Sequence, residues 1–261
     1  MLPPEAMKCF DILMAAKFLA TQDGSGKINV VPIVTMKPYD DKTLIFGNMM
    51  MRKSLKNLQE DNRVSACVVT SNLKCYEVTG KFRGFEKTGK YFDEISNIPI
   101  IRYTAYGSVR SAGIIDVEAV CAPLKSPMLG LISGLINTPP SQRKKIKKGK
   151  LHPCIAEKFE RLTAAKVIAT RENGRPRIIP ALVFKETSSD ALAFSCVSSQ
   201  NMPLLREGDY VASSVLTMDA ISYQVKGIFE GFKRSRFGKI GQIRIEEVYS
   251  ASPPRPGDRI T

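Results

Sequence analysis

Histidine is almost missing from this chain: His152 is the only one in 261 residues. A Ser-His or Cys-His hydrolase needs its imidazole beside a nucleophile. No such partner is evident near His152, which stands before Pro153 in a basic stretch. Metal ligation would need further ligands. The six cysteines (Cys9, Cys67, Cys75, Cys121, Cys154 and Cys196) contain no CxxC pair and no metal spacing, so no metal site is expected. Long apolar runs are lacking too. None reaches the roughly 18 residues that span a bilayer, and no membrane partner is expected. The opening Met1-Leu2-Pro3-Pro4-Glu5 lacks the basic and apolar regions of a secretory signal. Free thiols in a reducing, cytoplasmic setting are the expectation, with Cys67 and Cys196 as small hydrophobes in apolar runs. Acidic residues are in short supply: 25 Asp and Glu face 39 Lys and Arg, a net charge of +14. That balance attracts phosphate-bearing partners. The densest basic block, Arg143 to Lys150, reads as a solvated linker. No helix-turn-helix, zinc finger or aromatic-interleaved RNA motif accompanies it, so charge alone makes no nucleic-acid interface.

What the chain does have is a second copy of itself. Ala15-Ala16-Lys17-Phe18-Leu19-Ala20-Thr21 returns as Ala164-Ala165-Lys166-Val167-Ile168-Ala169-Thr170. A Gly- and Asx-rich turn follows each, then an apolar run closing on Pro32 or Pro180. Farther on, Val78-Thr79-Gly80-Lys81-Phe82 is echoed by Val225-Lys226-Gly227-Ile228-Phe229. Ala15 falls against Ala164 and Val78 against Val225, so the offset moves only from 149 to 147. Solenoid units repeat at roughly 20–50 residues, so a period this long means whole domains. We expect a first repeat at 1–122, a basic connector at 123–153 and a second repeat at 154–261.

Local patterning gives both repeats the same elements. An amphipathic helix over 4–14 starts behind Pro3-Pro4. Strands are expected at 17–21, 27–36, 43–47, 64–70, 75–86 and 114–121, with a two-turn helix at 53–60 and a short one at 89–96. The second repeat has a helix at 155–162 and strands at 166–170, 177–185, 191–196, 210–216, 221–233 and 240–249. A short helix is expected after the third of these strands. Six strands broken by that helix predict a small antiparallel barrel in each repeat, because closure removes exposed edges. The apolar connector segment 128–136 is expected to be a helix packed on one barrel.

One stretch carries chemistry. Gly47-Asn48-Met49-Met50-Met51-Arg52-Lys53-Ser54 runs from a strand end into a helix start. A helix N-terminus offers free N–H groups and a positive dipole end, and so suits an anion. Arg52 and Lys53 add two cations, one able to grip a phosphate bidentately. Ser54 or Asn48 can complete a phosphate cradle. The stretch continues to Asp61-Asn62-Arg63-Val64. With the order of elements around it, it resembles the pyridoxamine 5′-phosphate oxidase-like family, split β-barrels that bind flavin mononucleotide (FMN). The resemblance covers about 100 residues of each repeat, with Asp61-Asn62 where the family often has Asn-Pro.

The resemblance implies a mainly β protein of two tandem six-stranded antiparallel split β-barrels with short helices. It implies FMN along the strand containing Asn29, Val30, Val31 and Ile33, its phosphate near Gly47, Asn48, Arg52, Lys53 and Ser54. It places Cys75 where the family sets a Gln-like side chain at the polar ring edge. The family pairs barrels around its flavin, so two fused barrels imply an intrachain pseudo-dimer, with a homodimer the alternative. The second repeat has Ser199-Gln200-Asn201 against Arg52-Lys53-Ser54, having lost both cations, although Arg175 and Arg177 could build an altered second site. The function implied is a flavin oxidoreductase moving hydride or electrons between an unidentified substrate and donor. The alternatives are a noncatalytic flavin- or haem-binding protein, with His152 an isolated haem ligand, or a basic nucleic-acid-associated protein. Catalytic residues are not legible: a flavin performs its own electron chemistry.

Overall fold

The structure, a computed structural model, describes residues 1–102, 109–124, 127–137, 149–195, 204–235, 238–253 and 255–261. The first half begins with helix α1 (Pro4–Asp11), which opens on proline and buries Ala6, Cys9 and Phe10, the spacing of one helical face. Seven strands follow: β1 (Ala16–Gln22), β2 (Ile28–Pro32), β3 (Lys37–Pro38), β4 (Thr43–Asn48), β5 (Arg63–Val69), β6 (Cys75–Glu86) and β7 (Ser111–Cys121). Helix α2 (Lys53–Glu60) lies between β4 and β5, and the short α3 (Lys90–Ser96) and α4 (Pro99–Arg102) between β6 and β7. After α5 (Pro127–Asn137) and α6 (Pro153–Glu160) come β8 (Ala165–Glu172), β9 (Arg175–Pro180), β10 (Phe184–Ser188), β11 (Ala191–Ser195), β12 (Tyr210–Leu216), β13 (Ser222–Ser235) and β14 (Gly238–Ser250).

The strands form two antiparallel sheets of seven, ordered β2-β1-β5-β6-β7-β4-β3 and β9-β8-β12-β13-β14-β11-β10. Each strand of the first has its counterpart seven places later in the second. The count is seven rather than the expected six because each long strand is broken just after its proline. Pro32 and Pro180 have no N–H to extend a ladder, and the chain leaves for the opposite edge of its own sheet. Only residues 33–36 link β2 to β3, a reach of about 18 Å at full extension. A flat sheet would set those edges roughly 29 Å apart at about 4.8 Å per strand. The sheet therefore has to curl on itself, and the mainly β barrel architecture follows.

The barrels are filled alike. Phe46, Phe82 and Phe85 cluster in the first, Phe194, Phe229 and Phe232 in the second. Gly113 pairs with Phe46 and Gly241 with Phe194, and at both positions a Cβ would collide with the ring. A further apolar cluster joins the barrels. Phe18, Ala20, Ile28, Val30, Cys67, Val69 and Cys75 meet Val167, Ala169, Ile178 and Ala212, all buried. Successive strand residues point to opposite faces, so β1 serves its own barrel through Leu19 and the joint through Phe18 and Ala20. The expected short helix after 196 falls at residues 197–203, and most of the basic block at 143–148, outside the described residues.

Candidate functional site

A cleft of about 340 Å³ opens where the barrels meet, within the range of roughly 300–1,000 Å³ usual for small-molecule sites. The first barrel supplies β2 and the crossover after it (Asn29, Val31, Ile33, Val34, Thr35) and the β4–α2 turn (Gly47, Met49 to Ser54). The second supplies Leu216, Ala220, Ser222, Gln224 and the stretch from Tyr249 to Pro253, with Pro256 and Gly257. Of the ten residues singled out in the sequence, seven line this cleft: Asn29, Val31, Ile33, Gly47, Arg52, Lys53 and Ser54. The other three lie elsewhere. Val30 alternates away from the cleft into the interbarrel cluster, and its carbonyl accepts from Gln224 Nε2. Asn48 is buried with its amide 3.2 Å from Ser111 Oγ. Cys75 is buried in the interbarrel cluster, its Sγ 3.4 Å from that of Cys67.

The polar end of the cleft is the start of α2. Among the described residues no side chain caps that helix, so its first N–H groups are left to a ligand or solvent. Arg52 is 69% exposed and forms an ion pair with Asp258 at 3.2 Å. Lys53 Nζ lies 3.3 Å from the Tyr249 ring centroid; burial lowers its affinity for a proton, opposed by Glu247 and aided by Lys27. Ser54 is buried and accepts from Asn29 Nδ2 at 2.9 Å, which sets its hydroxyl. Behind them Tyr249 and Tyr210 both donate to Glu247 Oε2, at 3.0 and 3.1 Å. Burial, then the bond to Glu247, pushes Tyr249 up to about 12. Lys226 is buried nearby, pushed down to about 7 by burial and next by Lys53. Ser222 Oγ is fully buried and has no hydrogen-bond partner among the described residues. Buried hydroxyls normally find one, so a polar ligand atom in this cleft fits its vacancy in hydrogen bonding.

The matching position on the other side of the pseudo-twofold is built differently. Gln224 corresponds to Glu77, Ser222 to Cys75 and Asn29 to Arg177 in the aligned ladders. Where Gln224 donates to the Val30 carbonyl, Glu77 accepts from Ile178 N at 2.7 Å. Glu77 is fully buried and takes two bonds of 3.0 Å from Arg177. Arg177 also pairs with Glu172, and Arg175 with Glu118 of the first barrel. The two arginines that could have rebuilt a second cradle are thus committed to carboxylates, three of those contacts crossing between barrels. The counterparts of the cradle itself, Ser199 to Asn201, lie outside the described residues.

Ser222, Gln224 and Tyr249 escaped the sequence reading. They sit some 170–200 residues from Arg52, and only barrel docking brings them to it. One signal existed: the position of Cys75 was marked, and its repeat counterpart is Ser222. His152 is exposed and caps α6, its Nδ1 accepting from Cys154 N at 3.3 Å; it is not among the cleft residues. Among the described residues no group of three His, Cys, Asp or Glu could hold a metal, and no helix is long and apolar enough to cross a membrane.

No protein-family model and no curated protein matches the chain. Several solved structures are similar to it over about one barrel's length. HupZ of Group A Streptococcus is 21% identical across 46% of this chain and 92% of its own, with a TM-score of 0.40. An FMN-binding protein from Syntrophomonas wolfei is 20% identical across 45% of this chain and 85% of its own, also at 0.40. An F420 reductase is 18% identical across 46% of this chain and 98% of its own, at 0.37.

Proposed function

We propose that the chain is a flavoprotein that holds one FMN in the interbarrel cleft and acts as an oxidoreductase. The observation carrying this reading is the pairing, in one cleft, of the uncapped α2 start and its two cations with an apolar wall and the orphan hydroxyl of Ser222. In this reading Lys53, Arg52, Ser54 and the first N–H groups of α2 hold the phosphate. Val31, Ile33 and Met49 to Met51 exclude water along the ring, and Ser222 and Gln224 offer polar contacts from the facing barrel. Residues 1–122 then carry the cradle, 154–261 the covering wall, and 123–153 joins them. When bound, the flavin supplies the capacity to take and give hydride or single electrons. Among the described residues the cleft's titratable groups are Arg52, Lys53 and Tyr249. They bind and orient, and Tyr249, held by Glu247, keeps its proton at neutral pH. Purified protein loaded with FMN should show flavin absorbance that a reductant bleaches, with FMN identified by mass in the released ligand. Protein that stays colourless after loading and dialysis would overturn the reading.

A further inference from the structure

A second cleft, of about 310 Å³, opens on the first barrel and shares only Val34 and Thr35 with the interbarrel one. Its walls include the apolar Leu13, Met36 and Ile98 and the charged Asp11, Lys17, Lys37 and Glu94. Lys37 and Glu94 are paired with each other at 2.5 Å. Lys17 is different. It lies near the start of β1, is 2% exposed, and its ammonium makes one hydrogen bond among the described residues, a long one of 3.4 Å to the Val34 carbonyl. An ammonium carries three donors, and a buried one left with so little compensation is costly.

In the other repeat the same lysine is bonded differently. Lys166, the counterpart, is equally buried, and its Nζ donates to the Arg161 carbonyl at 2.6 Å, at the end of α6. The corresponding carbonyl in the first repeat belongs to Ile12, at the end of α1, and Lys17 makes no bond to it. The first copy has turned its lysine from the helix end toward the cleft wall.

We propose that this cleft binds a small monocarboxylate with an apolar body, its carboxylate on the Lys17 ammonium and its body against Leu13, Met36 and Ile98. A carboxylate accepts the donors that Val34 leaves free, and the charge-assisted bonds offset the burial of both ions. Asp11 at the rim limits the site to one negative group, because a second would face it. Burial brings Lys17 down to about 8, with Asp11 opposing and Lys37 adding to the fall. The ammonium is therefore present below pH 8 and is lost as pH rises through it, taking carboxylate affinity with it.

Benzoate is a suitable probe, titrated calorimetrically into the FMN-loaded full chain. One equivalent should bind at pH 6.5, and affinity should fall at least tenfold by pH 9.5. Lys17→Met should weaken binding at pH 6.5 tenfold or more and abolish its pH dependence. Should K17M not fold, Leu13→Glu, a change at a partly exposed position, should weaken benzoate by a similar factor through repulsion. FMN content should be unaffected throughout. Absence of binding at pH 6.5, equal affinity in the variants, or release of FMN by benzoate would overturn the proposal, the last by locating benzoate in the interbarrel cleft instead.

Discussion

Arg52 and Lys53 illustrate how little a charged pair reveals until its neighbours are known. Arg52 is mostly exposed and its ion pair with Asp258 lies in water, where such pairs contribute about 0–1 kcal/mol. It is easily exchanged for a ligand phosphate. Lys53, over the Tyr249 ring, is already partly desolvated and set at the helix start. Replacing both by Ala should weaken FMN binding by about 3 kcal/mol or more, since charge-assisted bonds are worth roughly 1.5–3 kcal/mol each. Riboflavin, which lacks the phosphate, should bind both proteins alike in a fluorescence-quenching titration. Equal losses for the two ligands would assign the pair to folding. The pair was legible in the sequence because its chemistry is local, a helix start with two cations. The hydroxyl of Ser222 was not, because a serine in a strand looks the same whether or not a cleft lies beside it.

At the scale of elements, local chemistry marked many boundaries. Helix α2 and strands β6 and β12 fall on the expected residues 53–60, 75–86 and 210–216. The strands expected at 27–36 and 177–185 did not stay whole, since a β-branched run across a proline hides a change of sheet edge. The turn before α2's return strand gives a prediction of its own. Asp61 ends α2 and accepts from Arg63 at both oxygens and from Gln22 Nε2 at 2.6 Å. Gln22 also donates to Gly174 O at 2.8 Å, in the Asn173-Gly174 turn between β8 and β9, where both residues have positive φ. One carboxylate thus ties α2, β1 and the facing barrel's hairpin. The hydrogen bonds from Arg63, ahead of opposing burial, bring Asp61 down to about 2. A carboxyl lowered on folding stabilises above its unfolded value near 3.9 and loses that contribution as pH falls toward 2. Asp61→Asn should therefore cost about 2 kcal/mol at pH 7 by urea denaturation. The difference from the parent should shrink steadily between pH 4 and pH 2. A pH-independent difference would mean the charge is not what stabilises the turn.

On the scale of the whole molecule, two barrels of one topology make a joint that is symmetric in backbone and asymmetric in chemistry. At one position Gln224 meets Val30 beside an open cleft; at its mate Glu77, Arg177 and Ile178 are bonded together. A buried, doubly bonded carboxylate–guanidinium pair is costly to break, so a second ligand would have to displace it. Stripped protein titrated with FMN should therefore take up one tight equivalent per chain, followed by quenching of flavin fluorescence. Two tight equivalents would mean that the Glu77–Arg177 bonds open and the second position binds as well.

By itself the sequence determined what depends on neighbours along the chain. The period of the repeat, the runs that become strands, the prolines that end them and the cationic helix start are all written within windows of a few residues. So was the loss of the two cations in the second copy. The tertiary structure alone decided which faces of those strands meet. Side chains alternate across a strand, so adjacent residues such as Val30 and Val31 part, one to the interbarrel cluster and one to the cleft. It decided that Arg175 and Arg177 serve as staples between barrels. It also decided that Ser222, Gln224 and Tyr249 complete a cleft begun by Arg52 and Lys53. Those pairings join residues on separate repeats, and they exist only once the two curled sheets have buried their common apolar face.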